Sequence, residues 1–193
     1  MPIEVTSLDG MSIKSLAAAG DKSACINTYG ELFTFGSSKN YSMMAADGQG
    51  YKDNLKLPTI FGSETLIFTK VAVGPEHIAA ITEDGRLFTM GTTEGSKLGH
   101  AEKVKTDEEV EEERLRYKRA GYKPGSLDKS KPQSGFVEGL PEGLKVTAVA
   151  CGDKHTVCVM EDGSVYSWGY GKMGPLGHNN NESTSVPRKV EGL

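Results

Sequence analysis

The chain has 193 residues, 37% hydrophobic and 25% charged, the composition of an ordinary soluble globular domain, and its 24 glycines favour a turn-rich all-β fold over a helical bundle. A formal net charge of -4 gives no general electrostatic reason to bind nucleic acid or an acidic membrane surface. No run approaches the ~18 apolar residues that a membrane span needs, and Met1–Val5 lacks the basic-then-apolar order of a signal peptide.

Reading from the N-terminus, the first organised stretch is Ser15–Gly36. It aligns without gaps on Lys70–Gly91, matching Ala17, Ala24, Ile26, Gly30, Leu32, Phe33, Thr34 and Gly36 identically. A small-residue strand leads to Ala19-Gly20, a second strand follows, and Tyr29-Gly30 makes the hairpin into a third. This first copy lacks the Leu-Gly-His triplet that closes the other two.

The second copy, Lys70–His100, aligns without gaps on the third, Ala148–His178. Gly74 matches Gly152, His77 matches His155, and Glu83-Asp84-Gly85 matches Glu161-Asp162-Gly163. Gly91 matches Gly169, and Leu98-Gly99-His100 matches Leu176-Gly177-His178, all at one offset. Each copy has the same grammar: an apolar strand, a Gly and a polar turn, then a second strand. A tight Asp84-Gly85 or Asp162-Gly163 hairpin follows, where Gly supplies positive φ, and then a third strand ending at Gly91 or Gly169. A returning outer segment would complete a blade.

Between these copies lies a segment unlike the rest. Thr106 and Glu109 have capping-box spacing, and acids run from Asp107 through Glu112 and Glu113. The bases Arg114, Arg116, Lys118 and Arg119 follow, which suits the helix dipole, and Glu112 with Arg116 forms a favourable i,i+4 pair. Gly121 and Pro124 supply stop signals, so a short helix is predicted at about residues 107–120, followed by a basic loop containing Lys123, Lys129 and Lys131. One reading is a solvated surface helix on a tolerated insertion. The other is a docking element, because binding residues often sit on loops displayed by rigid scaffolds; its basic half could meet an acidic protein surface or nucleic acid, and the neighbouring acidic half disfavours nucleic acid.

The run Val149-Ala150-Cys151-Gly152 through His155, Glu161-Asp162-Gly163, Trp168-Gly169 and Leu176-Gly177-His178 resembles the repeats of the regulator of chromosome condensation family. The resemblance covers roughly three units. It implies an all-β fold, a partial β-propeller of three blade-like repeats with one short inserted helix. Members usually close about seven blades, so an arc of three leaves two blade faces to be covered. The segment Val190-Glu191-Gly192-Leu193 echoes Val137-Glu138-Gly139-Leu140, so a fourth unit would begin at the end of the chain. Either the chain is a piece of a larger propeller, or copies or partners complete it. As a single repeat domain over 1–193, it divides into a degenerate first blade at 13–66, a second blade at 67–144 with the charged insertion at about 101–135, and a third blade at 145–193.

The residues that look like chemistry keep the repeat register. The four histidines form two repeat-related pairs, His77 with His155 and His100 with His178, whereas a catalytic or metal site needs different residues converging on one point. Cys25 and Cys158 are repeat-equivalent, and Cys151 occupies a small apolar position, so three cysteines without a CxxC pair argue against a disulfide framework or zinc site and for a reducing compartment. Trp168, which matches Met90, is expected to pack between blades. Gly169-Tyr170-Gly171-Lys172-Met173-Gly174 fits GxGxxG only superficially, since no helix pattern follows. No catalytic residue, metal or cofactor is therefore expected.

The expectation is a noncatalytic protein-interaction scaffold, intracellular in the cytoplasm or nucleus. Glu109, Glu112, Glu113, Arg114, Arg116, Lys118, Arg119 and Lys123 are its candidate partner-binding residues. The resemblance implies guanine-nucleotide exchange on a small GTPase, or chromatin association, for a complete ring. Direct nucleic-acid binding and a membrane role are not expected. The alternative is a structural subunit whose neighbours or copies cover the open blade edges.

Overall fold

In the computed structural model of this chain, the described residues are 8–36, 55–56, 60–61, 64–100 and 132–192. The charged segment, with its expected helix and all eight candidate partner-binding residues, lies outside them. The described residues form three four-stranded antiparallel sheets and one small hairpin. The first sheet is β1 (Ile13–Ala19), β2 (Lys22–Asn27), β3 (Leu32–Gly36) and β4 (Leu55–Lys56). The hairpin β5 (Ile60–Phe61) and β6 (Glu64–Thr65) precedes the second sheet.

The second sheet is β7 (Phe68–Val73), β8 (His77–Thr82), β9 (Leu87–Thr92) and β10 (Pro132–Phe136). The third is β11 (Val146–Cys151), β12 (His155–Met160), β13 (Val165–Gly169) and β14 (Thr184–Lys189). Each sheet keeps its strands in sequence order, the meander of a propeller blade, and the first strands of successive blades contact one another. The outermost pairing of the second blade is taken up at Pro132, opposite Thr92.

The repeat seen in the residues is also a repeat of backbone pairing. The first residue of each second strand faces a glycine at or next to the end of the third: Lys22 with Gly36, His77 with Gly91, His155 with Gly169. Those glycines are required sterically. A Cβ at Gly36, Gly91 or Gly169 would lie 2.1, 2.4 or 2.5 Å from the carbonyl oxygen of Asp21, Glu76 or Lys154. Each first strand carries a register shift at the same place, after Ile13, Phe68 and Val146. Such bulges increase strand twist.

The core lies between blades. Ala24, Ile26 and Leu32 of the first blade pack with Phe68, Ile78, Phe88 and Met90 of the second. Ala79, Ile81 and Leu87 of the second pack with Val146, Cys158, Met160 and Trp168 of the third. Alternation along β8 and β12 thus sends successive residues toward the preceding and the following blade. Backbone bonds repeat as well. Phe68 N–H donates to Gly30 O at 2.9 Å, and Val146 N–H donates to Gly85 O at 2.9 Å.

Candidate interaction site at the blade junctions

Polar side chains concentrate where the second and third blades meet. Lys97 follows a short 3-10 turn at Glu94–Ser96, and its carbonyl accepts two hydrogen bonds from the third blade. Thr156 Oγ1 donates to it at 2.7 Å, and the Trp168 indole donates at 3.0 Å. Because the Thr156 proton is committed there, His77 Nε2, 2.9 Å from Thr156 Oγ1, must be the donor in that contact. The relay therefore runs from His77 through Thr156 to the Lys97 carbonyl.

This geometry fixes the state of His77. The ring is fully buried and its Nδ1 has no hydrogen-bond partner. Burial, the Lys97 ammonium and His155 push its pKa down to about 3 against the opposing pull of Glu76. His77 is a neutral Nε2–H tautomer that joins two blades.

An ion cluster lies beside the relay. The buried Lys97 ammonium pairs with Glu76 at 2.9 Å and donates to Thr92 Oγ1 at 2.8 Å. Partial burial would raise the Glu76 pKa, but the bond and charge of Lys97 outweigh it and hold the carboxyl below its usual value. Lys154 of the third blade reaches Glu94 of the second at 3.1 Å. On the hairpin side of the same junction, Lys70 Nζ donates to Thr147 O at 2.6 Å, beside a shallow cleft of about 200 Å³. Lys70 and Lys145 there face Glu83 and Glu161, so this cleft carries no excess charge.

His100 and His178 do a second job, inside a blade. Thr89 Oγ1 donates to Leu98 O at 2.6 Å, and His100 Nε2 lies 2.9 Å from that hydroxyl and 3.1 Å from Gly135 O. In the third blade Ser167 Oγ donates to Leu176 O at 2.6 Å, and His178 Nε2 lies 2.9 Å from Ser167 Oγ and 3.3 Å from Arg188 O. In both blades the imidazole N–H is shared between a third-strand hydroxyl and a fourth-strand carbonyl. The clamp on His100 also joins the described residues on either side of 101–131, His100 and Gly135.

The remaining repeat positions form turns and packing surfaces. Asp84 accepts from Thr82 and Arg86, which outweigh partial burial and lower its pKa, while Asp162 is lowered by its bonds from Ser164. Gly85 and Gly163 take φ of 88° and 84° in the hairpins. The rings of His77 and His155 lie over Gly74 and Gly152, where a Cβ would come within 2.9 and 2.1 Å of Cε1. Trp168 is fully buried against Gly99. Burial pushes the Cys151 and Cys158 thiols up to about 12, and it raises Cys25 too, so none is poised as a thiolate.

The sequence reading missed two groups of residues. Thr89 and Ser167 were visible in principle, as a repeat-equivalent hydroxyl pair. Lys97 and Glu76 were not, because their counterparts are Pro175 and Lys154 and carry no matching signal. Among the described residues no three His, Cys, Asp or Glu side chains converge as a metal site, and no helix is long and apolar enough to cross a membrane.

Comparison with known proteins agrees with this architecture. Residues 84–159 and 162–193 match the regulator of chromosome condensation (RCC1) repeat, and residues 146–174 match a second description of that repeat. The chain is 30% identical to the E3 ubiquitin-protein ligase HERC2 of Mus musculus over its whole length, which is 4% of that protein. It is 30% identical, again over its whole length, to the secretion-regulating guanine nucleotide exchange factor of Bos taurus and spans 39% of it. Among solved structures, Prp20p of Saccharomyces cerevisiae, described with its binding to Gsp1p and histones, superimposes at a TM-score of 0.70. That likeness is at 19% identity and covers 93% of this chain and 38% of Prp20p, which shows the fold. The chain thus spans less than half the length of each of these relatives.

Proposed function

The chain belongs to the regulator of chromosome condensation repeat family, and from that premise we propose that it is a noncatalytic protein-interaction scaffold, displaying its charged segment to a protein partner. One observation carries the reading. His100 Nε2 approaches Thr89 Oγ1 and Gly135 O, so the described residues that flank 101–131 in the chain meet at one blade edge. That is how a scaffold presents a binding loop. The residues proposed to meet the partner are Glu109, Glu112, Glu113, Arg114, Arg116, Lys118, Arg119 and Lys123.

Small GTPases are the partner class to test first. A relative is named as a guanine nucleotide exchange factor, and Prp20p is described with its binding to Gsp1p. Exchange stabilises a nucleotide-free GTPase and needs no covalent chemistry from the scaffold. We propose an intracellular setting for the same reason. HERC2 is named as a ligase, but this chain corresponds to 4% of it, so ligase activity is not carried over.

The test is release of a fluorescent guanine nucleotide from a panel of small GTPases, with binding measured in parallel. Binding by the native chain, lost when Arg114, Arg116, Lys118 and Arg119 become Glu, supports the scaffold and its docking segment. Binding without faster release supports the scaffold and removes exchange. No binding to any GTPase removes this partner class.

A second reading, a structural subunit whose neighbours or copies cover its open faces, is favoured by the third blade. Val157, Val159 and Val165 there are only half-buried.

A further inference from the structure

The outermost strand of the second blade has little of its own to hold it. β10 has one hydrogen-bonding neighbour, β9, and so forms an edge of its sheet. The second blade has a blade packed on either side, so this edge is the outer rim of the arc. The first residue of the strand, Pro132, has no N–H to give to the ladder. Two of its cross-strand pairs contain a glycine: Gln133 stands opposite Gly91, and Gly135 opposite Thr89. Such pairs lack the side-chain contact that stabilises a sheet. β8 and β9 are buried at every position, whereas Gln133 is exposed and Ser134, Gly135 and Phe136 are half-buried.

Its side-chain fastenings come from other parts of the blade. The Thr89 hydroxyl gives its proton to Leu98 O, so His100 Nε2 carries the proton shared between Thr89 Oγ1 and Gly135 O. The imidazole also lies against Gly135, where a Cβ would come within 3.4 Å of Cε1 and Nε2. It fills the place that a side chain at Gly135 would take. At the end of the strand, the Phe136 ring meets Phe88 edge-on, with centroids 5.5 Å apart, and the Arg86 guanidinium lies 4.0 Å from the Phe136 centroid. Beyond it, Val137 N–H donates to Leu87 O at 2.8 Å and Glu138 N–H to Gly99 O at 3.0 Å.

The third blade uses the same clamp under easier terms. There His178 reaches Arg188 O, 10 residues further on, whereas His100 reaches Gly135 O across 35 residues. The entropy lost on closing a contact grows with the chain between its ends, so His100 secures the less favourable closure. Arg188 also sits in a six-residue strand without glycine, Thr184–Lys189.

We propose that β10 is a detachable strap and that His100 is the latch holding it on the second blade. The strap opens by local unfolding, while β7, β8 and β9 stay packed between the neighbouring blades. Opening breaks the ladder between β9 and β10, uncovers Phe88 and Thr89, and frees the chain through Phe136. His100 acts through Gly135 and is a positioning residue. Because β10 continues directly from residues 101–131, opening lengthens the segment that the proposed function displays to a partner. That consequence rests on the docking reading; the opening itself does not.

Hydrogen exchange of the full chain, read by mass spectrometry, tests the opening without any partner. Peptides covering residues 133–138 are compared with peptides covering β8 of the same blade, with and without low urea. In the native chain β10 should exchange at least about tenfold faster than β8. Its rate should hardly respond to urea, because local opening exposes little surface. His100→Ala should speed β10 exchange by a further roughly three- to tenfold, the loss of one hydrogen bond, and leave β8 unchanged. His100→Gln keeps an N–H donor and should restore part of the protection. Trp168 emission reports that the blades remain folded. If β10 exchanges in step with β8 and with the same urea dependence, the blade is one cooperative unit and the strap is overturned. If His100→Ala speeds both strands alike, or unfolds the chain, the latch is overturned. An opening strap beside a failed GTPase test removes only that partner class, and GTPase binding beside a strap that stays shut removes only the strap.

Discussion

His77 and Thr156 are hydrogen-bonded at 2.9 Å across the boundary between the second and third blades. The proton of Thr156 goes on to the Lys97 carbonyl, which also receives the indole N–H of Trp168. These four residues form the joint between two blades of a repeat protein. Several measurable consequences come from that joint and its neighbours.

The neutral state of His77 makes stability depend on acid. Its folded pKa is depressed from 6.5 to about 3, so the unfolded chain takes up a proton that the folded chain refuses. The stabilisation is complete above pH 6.5 and is lost as pH falls toward 3, at roughly 1.4 kcal/mol per pH unit within that window. His77→Gln keeps a donor for Thr156 but cannot titrate. Urea unfolding at pH 7 and pH 5 should show a smaller acid loss in the variant. Equal losses would show that His77 does not govern this response.

Two hairpin glycines with nearly the same φ separate backbone strain from blade contact. Gly85 and Gly163 have φ of 88° and 84°, so alanine is strained similarly at both. Only at Gly85 would the new Cβ also meet Lys145 Cβ, at 2.5 Å. Gly85→Ala should therefore cost roughly 1–3 kcal/mol more than Gly163→Ala. Matched denaturation midpoints would refute the steric argument.

Trp168 is the single tryptophan and is fully buried. Its emission should be blue-shifted in the folded chain and move to the red when the junction opens. Trp168→Phe removes the bond to Lys97 O and part of the ring volume, for a loss of roughly 1–3 kcal/mol in chemical denaturation. Trp168→Ala should lose about 3–5 kcal/mol.

The ion pair of Glu76 and Lys97 predicts an asymmetry. Lys97 is fully buried, whereas the Glu76 side chain is 24% exposed. Glu76→Gln strands a buried ammonium and should cost about 3–5 kcal/mol. Lys97→Met leaves a carboxylate that water reaches and should cost less. Thermal melts of the two variants at pH 7 check the order, and the reverse order would mean that burial does not control this pair.

Much of this architecture was legible in the residues. The offset relating Gly74 to Gly152 and His77 to His155 is a repeat of backbone register, and the hairpins at Gly85 and Gly163 follow from the need for positive φ. The placement of His100 and His178 at the same point of two loops was equally readable. Their hydroxyl partners were harder to see, because Thr89 and Ser167 differ in identity and each lies in an unremarkable strand. The Lys97 cluster was hidden altogether, since it occurs in one blade and has no repeated signal.

The sequence by itself determined three blades, their strand order and the turns between strands, because those depend on local φ, on alternation and on a periodic register. Only the tertiary structure decided which imidazole is buried, which carbonyl takes two donors, and which apolar positions of the repeat, such as Ala79, are covered by a neighbouring blade. Those properties arise when residues distant in the chain are brought face to face. Burial and hydrogen bonding depend on the neighbour across the junction, and no residue carries that neighbour in its own identity.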